Sequence, residues 1–278
     1  KYPDATISVY CKPMNNSLVE QTGCVQHIIN AYEELEKHYD IQVDFRGDNQ
    51  TLVRPLLGQC KIYLDRGSVR LRNKFSGGQR HEVETNQETI KWLLPQNHVW
   101  GKPNLKVSPS DEAMVDALLK SDNIEQYVVM HCGARDAARR WPADRFAALI
   151  DAIFDKYKLP TVLVGSANEN DLIDTVATQT ARAYNYAGKT NLLQLTALIR
   201  RSKLFVGNES GPLHFAIVAQ KPLVALFGPG VKDVFYPLYP NQKVIHHVIE
   251  NQLQGDKETS MFQIQQQDVL DAIAELTF

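Results

Sequence analysis

From Tyr127 to Phe227, short apolar runs alternate with amphipathic segments, and this alternation constrains the fold more than any other feature of the sequence. The runs that predict strands are 127–131, 161–165, 183–187, 204–207 and 222–227. Between them, apolar residues recur at helical spacing and predict helices over 142–157, near 169–181, around 192–199 and from 212 onward. Strands that alternate with amphipathic helices are typical of βαβ units. We therefore predict an α/β fold with a parallel sheet and helices on both of its faces.

The first hundred residues follow a less regular pattern. Candidate strands lie at 6–10, 40–45 and 60–64. The segment 68–88 is polar, with several arginines and a Gly-Gly pair, so we expect an exposed loop region there.

Signals near residue 100 predict a domain boundary. The stretch 97–110 has two prolines and few apolar residues, and we interpret it as the crossing between an N-terminal domain, 1–106, and a C-terminal domain, 107–278. Ser110 is a predicted N-cap, because Asp111 and Glu112 would then lie in the first turn of a helix. The last helix is predicted over 267–276.

Charge and cysteine content narrow the class of protein. The chain has 30 basic and 32 acidic side chains, a formal net charge of −2, whereas a nucleic-acid-binding protein usually has a strongly basic face. No apolar run reaches the roughly 18 residues that span a bilayer, and no signal peptide is visible. The four cysteines form no C-x-x-C pair. We therefore expect free thiols, no metal site and a cytoplasmic location.

The polar turn that follows the strand at 204–207 is a candidate ligand site. It carries the sequence Glu209-Ser210-Gly211-Pro212-x-His214, and Pro212 opens a helix. Backbone N–H groups at a helix N-terminus bind anions. The N–H groups of Ser210 and Gly211 could hold a diphosphate, His214 could donate to it, and Glu209 could accept from ribose hydroxyls. The alternative is an ordinary helix start in which Glu209 or Ser210 is only a cap.

A second candidate stretch follows the strand at 127–131. It contains Arg135, Arg139 and Arg140, and Trp141-Pro142 begins the next helix. Guanidinium groups suit a pyrophosphate because arginine can hold phosphate in a bidentate fork. A solvated basic loop is the alternative, and Trp141 is expected to pack rather than to contact a ligand. Ligands of parallel sheets bind outside the carboxyl ends of the strands, so 131–142 and 207–214 are predicted to meet.

Other motifs carry weaker signals. Gly228-Pro229-Gly230-x-x-Asp233 is a poor dinucleotide motif and is interpreted as a turn. The loop 165–169 could contact a nucleobase or ribose, or be a plain connection. Arg46-Gly47-Asp48 follows a strand and could contact an acceptor.

The C-terminal motifs together resemble glycosyltransferase family nine, the bacterial ADP-heptose:lipopolysaccharide heptosyltransferases. The resemblance is carried by Arg139-Arg140-Trp141-Pro142, by the stretch from Glu209 to Ala216, and by Phe227-Gly228-Pro229-Gly230. It covers about 127–230 well and extends weakly to 39–48.

The resemblance implies a GT-B fold, in which two Rossmann-like domains with parallel sheets face a central cleft. The N-terminal domain would take the acceptor and the C-terminal domain the nucleotide sugar. The reaction implied is an inverting transfer of a heptose from a nucleotide-diphosphate donor to a sugar hydroxyl of lipopolysaccharide or another glycan, without a metal or other cofactor. Such acceptors are lipid-linked, so peripheral contact with the inner membrane is expected. The donor-binding residues implied are Arg135, Arg139, Glu209, Ser210, Gly211 and His214.

Two departures from the family pattern affect the prediction. Glu209 stands where the family usually has aspartate. The family's first βα unit, whose Gly-Asp turn carries the general base, has no counterpart in this sequence, so the catalytic residue is unknown. A nucleotide-sugar-binding module without activity, or another sugar-nucleotide enzyme such as an epimerase, are the alternative functions.

Overall fold

The computed structural model describes residues 2–46, 49–78, 80–228, 232–237, 239–247 and 259–278. The chain forms two compact units. Unit 1 comprises Lys1–Lys102 and Asp233–Tyr236, and unit 2 comprises Pro103–Lys232 and Pro237–Phe278. Within the described ranges, no helix is both long enough and apolar enough to cross a bilayer.

Among its described residues up to Lys102, unit 1 contains short parallel strands and four α-helices. Strand β1 (Ser8–Tyr10) pairs with β2 (His27–Ile29), and β3 (Tyr39–Asp44) pairs with β4 (Cys60–Asp65). These pairs are separate two-stranded sheets. The helices are α1 (Asn16–Glu20), α2 (Asn49–Leu56), α3 (Arg66–Ser76) and α4 (Glu82–Ile90). The predicted strands at 6–10, 40–45 and 60–64 are found with shifted ends, and β2 was not predicted.

The prediction of a loop region over 68–88 is wrong, because α3 and α4 occupy most of it. The carboxylate of Asp65 caps α3 by accepting from the backbone N–H groups of Gly67 (3.0 Å) and Ser68 (2.7 Å). The two helices are joined by ion pairs: Glu82 binds Arg66 (2.6 Å) and Arg70 (2.7 Å) through its two oxygens. Polar side chains therefore stabilise this part of unit 1, where the sequence pattern indicated an absence of structure.

Unit 2 is built on six parallel strands in the order β10-β9-β8-β5-β6-β7. Every residue of β5, β6, β8 and β9 is buried. The predicted α/β fold with a parallel sheet is confirmed. The strands are β5 (Val128–His131), β6 (Thr161–Leu163), β7 (Ala183–Asn185), β8 (Leu204–Asn208), β9 (Leu223–Phe227) and β10 (Gln242–His246).

Helices follow the strands of unit 2 along the chain. Helix α6 buries Phe146, Leu149, Ile150 and Ile153, which recur at helical spacing and pack in the core of the unit. The helices of unit 2 are α5 (Pro109–Ser121), α6 (Ala143–Tyr157), α7 (Asn170–Ala177), α8 (Leu192–Arg201), α9 (Gly211–Val218), α11 (Thr259–Gln263) and α12 (Gln266–Ala274). The short helix α10 (Lys232–Phe235) begins at the last residue of a unit 2 stretch and continues into a segment of unit 1.

The N-cap of α5 corrects a prediction. Ser108, not Ser110, caps the helix, because its hydroxyl accepts from the backbone N–H of Asp111 at 3.1 Å. Pro109 then occupies the first helical position, where its missing N–H costs nothing.

The short segment Asp233–Tyr236, at the end of α10, belongs to unit 1. His81, which is 7% exposed, donates from Nε2 to the carbonyl of Tyr236 at 3.0 Å and accepts from the backbone N–H of Val83 at 3.2 Å. Its ring also packs edge-on against the ring of Tyr236, with the centroids 4.8 Å apart. His81 therefore ties this distant segment to the start of α4.

Candidate functional site

The loops that follow β5 and β8 meet, as predicted from their strand ends. The two strands are neighbours, with His131 opposite Gly207. Asn208, which is fully buried, donates to the carbonyl of Cys132 at 2.8 Å and accepts from the backbone N–H of Trp141 at 3.2 Å. Asn208 thereby joins both ends of the loop 132–141 to the end of β8. Asn208 was not among the predicted site residues, although a polar residue at the end of an apolar strand is a usable signal.

Arg139 and Glu209 form an ion pair at this junction. Arg139 Nη1 lies 3.3 Å from each carboxylate oxygen and hydrogen bonds Oε1. The Glu209 side chain is 7% exposed and that of Arg139 is 37% exposed. Burial raises the pKa of Glu209, and the charge of Arg139 opposes that rise.

Two polar atoms of this ion pair make no hydrogen bond within the described part of the chain. Glu209 Oε2 and Arg139 Nε are both buried and lack a hydrogen-bond partner among the described residues. A buried carboxylate oxygen without a donor is uncommon in folded proteins, since leaving it unsatisfied costs about 1–3 kcal/mol. The site can therefore accept one more hydrogen bond at Glu209 and donate one more from Arg139.

The N-terminus of α9 lies directly after Glu209. Ser210 is its N-cap residue, yet the Ser210 side chain makes no capping hydrogen bond. A Cβ atom on Gly211 would meet nothing within 4 Å, so the space beside this residue is open. His214 lies on the exposed side of the first turn. The first N–H groups of a helix have no carbonyl partner in the preceding turn, so this end of α9 can donate to an anion.

A buried histidine joins these loops to a third one. His131 is 2% exposed, and its Nδ1 lies 2.8 Å from Ser210 Oγ. On the other side of the ring, Nε2 lies 3.2 Å from Glu169 Oε1. The second oxygen of Glu169 accepts from the backbone N–H and the hydroxyl of Ser166, both at 2.8 Å. These hydrogen bonds lower the pKa of Glu169 to about 2, and the bond from His131 contributes most.

Gly133 makes room for this arrangement. A Cβ atom at that position would lie 2.1 Å from Glu169 Oε1 and 2.9 Å from His131 Nε2. Only glycine therefore fits beneath the carboxylate. No local sequence pattern links Gly133 with Glu169, so this contact could not be predicted from the sequence.

The other predicted residues of the second loop differ in exposure. Arg135 is exposed to solvent. Arg140 turns inward instead and donates from Nε to the carbonyl of Ala134 at 2.9 Å, which shapes the loop. Trp141 is 2% exposed and donates to the carbonyl of Ile264 at 2.9 Å, so the prediction that it packs is confirmed.

Two weaker predictions fall partly outside the described residues. In the motif from Gly228 to Asp233, residues 229–231 are not described. Gly228 itself packs closely, because a Cβ there would lie 2.6 Å from Met261 Sδ. In the Arg46-Gly47-Asp48 motif, only Arg46 is described. The possible contact of the loop 165–169 with a nucleobase or ribose stays a prediction.

The chain matches known sequences over most of its length. The family described as glycosyltransferase family 9 (heptosyltransferase) matches residues 69–265. Lipopolysaccharide heptosyltransferase 2 of Salmonella typhimurium is 31% identical over 199 residues, which are 66% of this chain and 55% of that protein. The chain thus spans about half the length of the curated relatives it matches.

The chain is also similar to solved structures of heptosyltransferases and of glycosyltransferase family 9. The structure of E. coli ADP-heptose LPS heptosyltransferase II aligns with a TM-score of 0.76 at 25% identity, covering 98% of this chain and 89% of that one. A glycosyltransferase family 9 structure from Veillonella parvula aligns with a TM-score of 0.77 at 17% identity, covering 98% and 88%. These likenesses confirm the predicted GT-B fold class.

Proposed function

The chain belongs to glycosyltransferase family 9, and we propose that it transfers a heptose from a nucleotide-diphosphate sugar to a hydroxyl of lipopolysaccharide or another glycan. ADP-heptose is the first donor to consider, because the E. coli structure that aligns at 25% identity is named for it. The relatives of which this chain covers about half are named lipopolysaccharide heptosyltransferases.

One observation carries the proposal: the buried, half-satisfied carboxylate of Glu209 beside Arg139 at the open end of α9. A ligand that brings a hydroxyl donor and an anion together would complete this site. A nucleotide-diphosphate sugar has both, since ribose and sugar hydroxyls can donate to Glu209 while the diphosphate accepts from Arg139.

The remaining donor residues follow from their positions. The diphosphate would accept from the N–H groups of Ser210 and Gly211 and from His214 on the first turn of α9. Arg135 is exposed to solvent, lies in the same loop as Arg139, and would add a second cation. In the transfer, the bond from the anomeric carbon to the diphosphate oxygen breaks and its electron pair leaves with the diphosphate. These donors would stabilise the charge that develops there.

Inversion belongs to the same proposal. The acceptor oxygen would form its bond to the anomeric carbon on the face opposite the departing diphosphate, and its proton would pass to a general base. We assign the base to no residue of this chain. The N-terminal domain, 1–106, is the proposed acceptor side and the C-terminal domain, 107–278, the proposed donor side.

Peripheral contact with the inner membrane and a cytoplasmic location complete the proposal. Helix α3 supports contact with a lipid surface, because Leu71 and Phe75 are 58% and 83% exposed. They lie four residues apart on one face, and Lys74 is exposed beside them. Co-sedimentation with vesicles of anionic and neutral lipids, using wild type and Phe75→Ser, measures this contact.

Calorimetric titration tests the donor site. We expect Glu209→Gln and Arg139→Ala to weaken ADP-heptose binding by at least about tenfold, the value of one hydrogen bond to a charged group. The control is Glu275→Gln, which removes a carboxylate from the exposed Lys243–Glu275 pair and should leave binding unchanged. Unchanged affinity in both site variants would contradict the proposed donor site.

Turnover separates the enzyme from a binding module. We expect release of ADP from ADP-heptose only when a heptose acceptor is present. Titrations with UDP-sugars and GDP-sugars identify the nucleobase that the site accepts. Tight binding of ADP-heptose without release of ADP, in a chain extended to the full length of its relatives, would favour the inactive module.

A further inference from the structure

We infer that His131 is a positioning residue: it holds the Ser210 hydroxyl away from the start of α9, so that the N–H of Leu213 stays available to the donor diphosphate. The inference rests on the proposed donor site. It assigns a role to His131, a residue that does not contact the donor. It also explains why the Ser210 side chain leaves the N-terminus of α9 uncapped.

Two other helices of this chain, α5 and α8, show what Ser210 would ordinarily do. At the start of α5, Ser108 Oγ accepts from the backbone N–H of Asp111, the third helical residue. At the start of α8, Asn191 Oδ1 accepts from the N–H groups of Leu193 and Gln194. Serine is among the preferred N-cap residues because it makes this bond.

At α9 the same bond has a single possible target. The side chain of an N-cap residue reaches the N–H of the second or third helical residue. The second residue here is Pro212, which has no N–H. A capping Ser210 hydroxyl would therefore bond Leu213 N–H, and it would place its oxygen in front of the helix where an anion would lie.

The hydroxyl is held in another direction. Ser210 Oγ lies 2.8 Å from His131 Nδ1 and 3.0 Å from the carbonyl of Asn208, and the Ser210 side chain makes no capping bond. Both partners belong to the ends of β5 and β8, the strands that lie beneath the turn. Whichever way the shared proton points, the two contacts fix the hydroxyl on the side away from the helix.

His131 is itself fixed from its far side. Glu169 meets Nε2 at 3.2 Å, and the ring is 2% exposed. Glu169 is held by two bonds from Ser166, and the lack of a side chain on Gly133 lets it approach. The ring cannot turn without breaking a bond on each side, so Glu169 supports the position of His131.

A second feature of the same turn points to a ligand. Glu209, the residue before Ser210, is buried with an oxygen that makes no hydrogen bond among the described residues. If Ser210 capped α9, the diphosphate would have to displace one hydrogen bond to reach Leu213. We expect this to weaken binding about tenfold, or about 1.4 kcal/mol.

Two amide variants separate positioning from packing. The side-chain nitrogen of asparagine lies near the place of His Nδ1, so His131→Asn can keep the bond to Ser210. The longer glutamine reaches the place of Nε2, so His131→Gln can keep Glu169 but releases Ser210. We expect the dissociation constant of ADP to rise about tenfold in His131→Gln and to stay within about twofold of wild type in His131→Asn. Packing alone predicts the reverse order, because asparagine leaves the larger void.

The double variant gives the sharpest test. In a Ser210→Ala background there is no hydroxyl to cap α9, so His131→Gln should change ADP affinity by less than about twofold. The control is His247→Gln, which makes the same substitution at a partly exposed histidine whose Nε2 also lies 3.2 Å from a carboxylate, that of Asp268, and which should leave ADP affinity unchanged. Equal effects of the two amides at position 131, or an undiminished effect of His131→Gln without the serine hydroxyl, would overturn the inference.

A measurement without ligand makes the inference independent of donor binding. Amide hydrogen exchange at Leu213 should slow in ligand-free His131→Gln, because Ser210 then caps that N–H, and should match wild type in His131→Asn. Exchange that does not differ between the two variants counts against the role of His131. Failure of wild type to bind ADP would instead count against the proposed function and leave the exchange result to decide the role of His131.

Discussion

The two units of this chain are stabilised in different ways. In unit 2, every residue of β5, β8 and β9 is buried, and all but two of those residues, His131 and Asn208, are apolar or glycine. In the four strands of unit 1, the buried positions are Ile29 and Asp44. Unit 1 instead buries polar side chains that hydrogen bond within it, including Asp44, Asn73 and His81.

The difference shows where each kind of stabilisation is useful. Apolar burial contributes about 25 cal/mol per Å² without any direction of its own, and it stabilises the sheet that carries the site. Ion pairs on the surface, such as those between α3 and α4, contribute about 0–1 kcal/mol each. The candidate site is the exception within unit 2, because there a polar network replaces apolar packing.

The largest expected effect tests the core of unit 2. Leu163→Ala in β6 removes a side chain that is 0% exposed, and we expect a loss of about 3 kcal/mol in the free energy of unfolding. Leu71→Ala in unit 1 changes a side chain that is 58% exposed and should cost less than about 0.5 kcal/mol. Urea unfolding measures both. Equal losses would abolish the contrast between the units.

Acid titration tests the polar network of the site. The folded pKa of Glu169 is about 2, below its ordinary 4.5, so its contribution is complete above the ordinary value and is lost as the pH falls toward 2. We expect wild type to exceed Glu169→Gln by on the order of 2 kcal/mol at pH 7, and this gap to shrink at pH 3. Unfolding curves at both values measure it. A gap that is independent of pH would separate the network from the charge of Glu169.

Glu209 should behave in the opposite sense. Burial raises its pKa, so the stability linked to its proton is present at low pH and is lost as the pH rises through the folded value. Glu209→Gln should therefore raise the stability of the ligand-free protein at pH 7 by on the order of 1 kcal/mol, while it weakens donor binding. Thermal unfolding without ligand checks the sign. A loss of stability would mean that Arg139 more than offsets the cost of burial.

The smallest effect sharpens the description of unit 1. Glu82→Gln removes the charge that joins Arg66 and Arg70, and we expect a loss of about 0.5–1 kcal/mol that shrinks at high salt. Urea unfolding at low and high ionic strength provides the comparison. A loss that does not respond to salt would assign the contribution of Glu82 to hydrogen bonding and packing.

Much of unit 2 could be predicted because one physical signal sets both its strands and its helices. The helical spacing of Phe146, Leu149, Ile150 and Ile153 can be read from the sequence, and these residues form the buried face of α6. The strand ends then predicted that Arg139 and Glu209 would converge. In unit 1, α3 and α4 were missed because the charges that join them lie 12 or 16 residues apart, as Arg70 does from Glu82 and Arg72 from Glu88. Hydrophobic periodicity does not detect such pairs.

The sequence predicts which residues form the site better than it predicts where their side chains point. Ser210 was placed correctly at the start of a helix, and a serine there is expected to cap it. That its hydroxyl instead meets His131 depends on how β5 and β8 pair. Ser108 was missed in favour of Ser110 for a similar reason, because two serines flank Pro109 and only geometry distinguishes them.

The bond between His81 and Tyr236 governs how this chain can be dissected. Three peptide links, after 102, 232 and 236, join stretches assigned to different units. A cut after residue 102 alone would separate His81 from the carbonyl of Tyr236, which accepts a hydrogen bond from its buried Nε2. A buried donor without an acceptor costs about 1–3 kcal/mol. A separate unit 1 for spectroscopy should therefore consist of residues 1–102 fused to residues 233–236, because a fragment that ends at residue 102 lacks the partner of His81.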